Sequence, residues 1–102
     1  MAQNRQQSFE KFEQIGAHIN RADLVTAQTL TVPAGATVLL VQAETQDVRL
    51  RFDGTAPTAS VGFVVKDAND PIAYAVHDGM VIKAIEVATT AVLQGQFYRP
   101  KA

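Results

Sequence analysis

The chain has 102 residues, no cysteine, no tryptophan and a net charge of −1 from nine basic and ten acidic side chains. That length sets one domain, the missing thiols exclude disulfides and thiolate metal centres, and balanced charge argues against a general nucleic-acid binder, which needs a basic face to displace counterions. At 47% hydrophobic and 19% charged it is globular material. No apolar run approaches the roughly 20 residues of a membrane span. Met1 to Ser8 is polar and lacks the apolar centre of a signal peptide.

Residues 1–7 are polar and rich in glutamine, which reads as an arm. Beyond Ser8, a possible cap, Phe9, Phe12, Ile15 and Ile19 recur at spacings of three and four, one face of a helix. Glu10 and Glu13 fall in its first turns, where the helix dipole favours acids. The spacing predicts a short amphipathic helix over 8–19 within an N-terminal arm of residues 1–20, limited by Gly16 and Asn20. Its apolar stripe lies either on the domain's own core or on a neighbouring subunit.

From Asp23 the pattern is that of strands, and 21–102 reads as a β-sandwich domain. Leu24 to Val32 is rich in strand formers. Val32-Pro33-Ala34-Gly35 reads as a β-turn with proline second and glycine fourth. In the following strand, Ala36 to Glu44, the run Val38-Leu39-Leu40-Val41 predicts a central position covered on both faces. The short polar link Glu44 to Asp47 predicts a hairpin pairing 36–44 with 47–53. Over 47–53 the alternation is strict: Val48, Leu50 and Phe52 on one face, Arg49, Arg51 and Asp53 on the other. Asp53-Gly54 and Ala56-Pro57-Thr58 turn the chain into a strand from Ser60 to Lys66, with Val61, Phe63 and Val65 on one face.

Residues 66–71 pack turn formers together and predict a loop. Ile72 to Val76, Met80 to Val87 and Ala91 to Arg99 are further strands, divided by His77-Asp78-Gly79 and by Ala88-Thr89-Thr90. About seven evenly spaced strands without helical crossovers predict an all-β, antiparallel sandwich, jelly-roll-like or immunoglobulin-like.

No catalytic or cofactor-binding set assembles from the sequence. His18 and His77 lack a second ligand at metal spacing, and a metal centre on such a framework needs three or four. His18 reads as a helix-terminal residue and His77 as a turn residue. Asp67-Ala68-Asn69-Asp70 lacks the spacing and closing glutamate of a calcium loop. Ser60 is not in a nucleophile elbow. Arg49 and Arg51 form either a solvated face with weak cross-strand pairs or an arginine contact surface. Phe97-Tyr98 places one aromatic on each face of its strand, and the outward one calls for a cover. The candidate protein-interface residues are Phe9, Phe12, Ile15, Ile19, Arg49, Arg51 and Tyr98.

Leu30 to Thr37, Val41 to Glu44 and Asp47 to Gly62, followed by Asp78-Gly79, Ile82 to Glu86 and Phe97-Tyr98, together resemble a group of small virion structural proteins of tailed phages and prophages. The resemblance covers residues 24–98, and Asp53-Gly-Thr-Ala-Pro-Thr58 is its most specific part. It implies a non-enzymatic part of the head surface, the head–tail junction or the tail. Such a part is made in the host cytoplasm and bound to its own copies and to capsid or tail subunits, without nucleic acid, membrane or cofactor. The alternative is a carbohydrate-binding or adhesin-like module using Tyr74 or Tyr98 as platforms. A small β-barrel enzyme is a third reading, and it lacks convergent acid–base or metal groups in the sequence.

Overall fold

A computed structural model describes residues 11–101. Among these residues there is no helix, and eight strands run in order: β1 (Phe12–Arg21), β2 (Gln28–Thr31), β3 (Val38–Glu44), β4 (Val48–Arg51), β5 (Phe63–Val65), β6 (Ile72–Ala75), β7 (Val81–Glu86) and β8 (Val92–Pro100). They form two four-stranded sheets, β1-β8-β3-β6 and β2-β7-β4-β5, in which every neighbouring pair is antiparallel. Strand 1 pairs with 8, 2 with 7, 3 with 6 and 4 with 5. The chain is thus one long antiparallel ribbon, doubled back between β4 and β5. Rolling that ribbon until β3 meets β8 and β4 meets β7 gives the sandwich. This is the jelly-roll arrangement. An immunoglobulin sandwich keeps its first two strands in one sheet, whereas here they lie in different sheets.

Period-two alternation puts one side of each sheet into a shared core. β3 and β8 contribute Leu39, Val41, Ala43, Leu93 and Phe97, and the facing sheet contributes Leu30, Val48, Leu50, Val65, Ile82 and Ala84, all buried. Gly95 occupies an inward position of β8 between β1 and β3. A β-carbon there would stand 3.1 Å from the Leu40 carbonyl oxygen and 3.2 Å from both Ile19 Cδ1 and Val41 Cγ1. Ile19, directly across from Gly95, fills the space that a larger residue would take.

Several expectations are corrected. The helix over 8–19 is replaced, over its described part, by β1, so the sandwich already includes Phe12; Ser8, Phe9 and Glu10 lie outside the described residues. The strand carries a bulge. Ile15 faces Phe97 and Ile19 faces Gly95, so Gly16, Ala17 and His18 stand against Gln96 alone. Gly16 takes a φ of +80°, a conformation open to glycine. Gln96 Nε2 donates to the carbonyl oxygens of Ile15 and Gly16 at 3.4 and 3.2 Å. Phe12 on the outer face and Ile15 and Ile19 on the inner one fall at spacings that imitate a helix. His18, accordingly, ends no helix and sits in the bulge.

The expected hairpin of 36–44 with 47–53 is also corrected: β3 and β4 belong to opposite sheets. Gln46 N donates to the Glu44 carbonyl at 2.8 Å around Thr45, whose φ is +75°. This is a γ-turn, and it carries the chain across the core instead of back along β3. β3 is central in its sheet as expected, but among the described residues the facing sheet covers one of its faces, and Val38, Leu40 and Gln42 on the other are half-buried. The strand expected over 24–32 is confined to Gln28–Thr31, and that expected over 60–66 to Phe63–Val65. The first β-turn is one residue later than expected. Ala36 N donates to the Pro33 carbonyl at 3.1 Å, which puts Gly35, with a φ of +91°, at the third turn position where glycine is needed.

Candidate functional site

The two outer faces differ in charge. On the β1-β8-β3-β6 sheet the register brings outward Gln14 and Asn20 from β1, Gln94, Gln96 and Tyr98 from β8, Val38, Leu40 and Gln42 from β3, and Ala73 and Ala75 from β6. None of these side chains is charged; Glu44, at the end of β3, is the nearest carboxylate in the register. On the other sheet Arg49, Arg51 and Lys83 point outward, and Arg51 lies directly across from Lys83. Like charges facing each other repel; here Asp53 grips the Arg51 guanidinium through both of its carboxylate oxygens.

Amides knit the uncharged face together. His18 Nε2 lies 2.7 Å from Gln94 Oε1, and Gln94 Nε2 donates to Asn20 Oδ1 at 3.1 Å and to Glu44 Oε1 at 3.2 Å. Around this network Gln14, Leu40, Gln42, Gln96 and Tyr98 line a shallow depression of about 230 Å³. Half-buried apolar groups ringed by neutral amides, with the Glu44 carboxylate at their margin, match the composition of the central part of a protein–protein contact.

A second feature lies where the edges of the two sheets approach at β5 and β6. Phe52, Phe63 and Tyr74 form a cluster with ring centroids 5.0 to 6.3 Å apart, tilted with respect to one another. Tyr74 sits across from core residue Leu39 and Phe63 across from core residue Leu50, so the cluster is the outer rim of the core. Phe63 is 63% exposed, and beside it Arg51, Phe52, Asp53 and Gly62 complete an open groove of about 490 Å³. Burial raises the Tyr74 phenol above its ordinary pKa.

The interface residues read from the sequence are divided between different places. Phe9 lies outside the described residues. Phe12 is half-buried opposite Pro100 on the uncharged sheet, and Tyr98 lies beside it in register, opposite Gln14. Ile15 and Ile19 turn inward and pack against the domain's own core. Arg49 and Arg51 are on the opposite face of the molecule. Arg49 is occupied by the loop that follows β4: its Nη1 donates to the Gly62 carbonyl at 2.6 Å and its Nε to the Ala59 carbonyl at 3.1 Å. Tyr74, offered as a platform for sugars, is instead part of the aromatic rim. Sequence reading missed the amide set Gln14, Gln42, Gln94 and Gln96. The alternation of Gln94 and Gln96 with buried Leu93 and Phe97 was its visible signal.

Among the described residues no group of three or more His, Cys, Asp or Glu converges as a metal site would require. His77 is an exposed turn residue, its Nδ1 2.8 Å from the Asp78 carbonyl oxygen. Asp67 and Asp70 lie in an exposed loop. Comparison with protein-family models, curated proteins and solved structures returns no match for this chain.

Proposed function

We propose that this domain is a non-enzymatic assembly component that works through protein–protein contacts, and, on the resemblance of residues 24–98, a structural part of a tailed-phage virion at the head surface, the head–tail junction or the tail. The observation that carries the reading is the uncharged outer face of the β1-β8-β3-β6 sheet. Four strands present Leu40, Val38 and Tyr98 among neutral amides, while the opposite face carries Arg49, Arg51 and Lys83. The test is co-sedimentation of the purified chain with phage particles that lack it. Wild type should bind. Leu40→Arg together with Gln42→Glu should lower binding by about tenfold or more, because charges are placed at the centre of a desolvated contact. Equal binding by the double variant, or no binding by wild type, overturns the reading.

The same face supports a second reading. Glutamine and asparagine amides beside a tyrosine ring are a hydrogen-bonding and stacking set suited to sugar hydroxyls, and Gln14, Gln94, Gln96 and Tyr98 meet around one depression. Saturable binding on a glycan array, lost on Tyr98→Ala, would select this alternative; silence on the array removes it.

A further inference from the structure

β1 is an edge strand of its sheet among the described residues, with β8 as its one strand neighbour. The ladder fixes which of its backbone groups point away. Lys101 N donates to the Lys11 carbonyl and Thr37 N to the Tyr98 carbonyl, each at 2.9 Å. Odd-numbered residues of β8 therefore turn their backbone groups to β1, and even-numbered ones turn to β3. With Ile15 opposite Phe97 and Ile19 opposite Gly95, the antiparallel alternation aims the N–H and C=O of Gln14 and Asn20 at the open edge. Both residues are exposed.

The strand is also matched to itself. Counting outward from Ala17, glycine answers histidine, Ile15 answers Ile19, Gln14 answers Asn20, and Glu13 answers Arg21. We propose that β1 is the site where a second copy of this chain adds, antiparallel and about a two-fold axis at Ala17. In that register Gln14 of one copy and Asn20 of the other form a hydrogen-bonded pair on each side of the axis. Ile15 lies beside Ile19 on the core side, and each Glu13 lies beside an Arg21. Shifting by one residue turns the faces over. Self-pairing at Gln14 or at Asn20 keeps the faces but leaves Glu13 or Arg21 beside an isoleucine. The two bulges meet at the axis, so the ladders form on either side of it.

Bulges and charges are also how an edge repels strangers. Here the acid and the base stand at equal distances from the centre with opposite sign, an arrangement that rejects a foreign strand and accepts its own copy. The dimer joins two sheets into the continuous order β6-β3-β8-β1-β1-β8-β3-β6 and sets two uncharged faces side by side. In naming that doubled surface as the docking face, the inference rests on the assembly reading; the dimer itself does not.

Sedimentation velocity on the full chain, from about 1 μM to about 1 mM, should give a monomer–dimer equilibrium. Glu13→Arg and Arg21→Glu should each weaken it by about tenfold or more, and the double variant should recover it to within about threefold. Opposite Arg99 and Leu93, the two positions stand about 20 Å apart at the usual rise, so recovery can arise only between copies, whatever each change does to the Glu13–Arg99 and Arg21–Asp23 pairs within a chain. Circular dichroism checks the fold of each variant. If a single variant does not fold, hydrogen exchange on wild type decides: the Gln14 and Asn20 amides should gain protection as concentration rises. A wild-type monomer throughout, dimers unaffected by either single change, a double variant that stays monomeric, or amides indifferent to concentration overturns the dimer. A monomer that still binds phage particles would end the dimer and leave the assembly reading standing.

Discussion

Asp47 joins three segments through one side chain and one carbonyl. Its Oδ1 accepts from Asp67 N at 2.9 Å, Lys66 Nζ approaches Oδ2 at 3.5 Å, and its carbonyl accepts from Val87 N at 3.0 Å. The Asp67 N–H holds the carboxyl below the usual carboxylate range; slight desolvation opposes this and the Lys66 charge assists. Asp53, gripped by Arg51, and Asp23, paired with Arg21, are lowered in the same direction. A lowered folded-state pKa means that the folded chain binds fewer protons than the unfolded one. The stabilisation is therefore fully present above the ordinary value near about 4 and is lost as pH falls through the lowered one. Asp47→Asn keeps an oxygen for the Asp67 amide and removes the charge. Its urea midpoint should lie below that of wild type at about pH 7, and the two should converge below about pH 4 as wild type loses the charge. Parallel acid limbs for the two proteins would refute this role. At this scale the sequence was readable where a residue's partner is local, as in the outward Arg51–Asp53 pair. It was opaque where the partner lies far along the chain. Nothing near Arg49 announces that it is committed to the carbonyls of Ala59 and Gly62.

Gly95 decides how β1 joins its sheet. Ile19 lies over it and the Leu40 carbonyl lies beside it, so a side chain at this position must push either β1 or β3 outward. Gly95→Val should cost about 1–3 kcal/mol by overpacking, and Gly95→Val with Ile19→Ala should recover part of that loss in thermal or urea unfolding. Additive losses would mean that the two residues do not share the space. Strands with unbroken alternation were legible: β4, β6 and β7 fall within the ranges their periods marked, and β8 runs one residue past its own, to Pro100. β1 was not, because Phe12 on its outer face and Ile15 and Ile19 on its inner face, the last two separated by the bulge opposite Gln96, together fall at helical spacing. The link after β3 misled differently. A short polar segment serves equally to turn a strand back on itself or to pass it to the facing sheet. The γ-turn at Thr45 does the latter, and neighbouring residues do not distinguish the two.

The order of the sheets makes the first and last strands partners. Glu13 and Arg99 meet at 2.6 Å across 86 residues of sequence, and β8 bridges β1 and β3. The class of fold was legible from even strand spacing and missing helical crossovers. Strand order was not, because it depends on pairings between residues whose sequences carry no mark of one another. The amide-rich face stayed hidden for the same reason, since Gln14, Gln42 and Gln94 become neighbours only after β8 has been placed between β1 and β3. One kinetic consequence follows. Until β8 arrives, the inward sides of β1 and β3 have no strand between them, and the core lacks Leu93 and Phe97. The entropy of closing so long a loop is lost before its contacts form, which slows folding. Refolding from urea, followed by stopped-flow circular dichroism, should therefore take milliseconds to seconds. A chain ending at residue 91 should show no cooperative unfolding transition, because the sheet that it would form lacks its bridging strand. Sub-millisecond refolding of the full chain, or a cooperative transition in the shortened one, would show that the β2-β7-β4-β5 sheet stands by itself and that β8 is added to a body already formed.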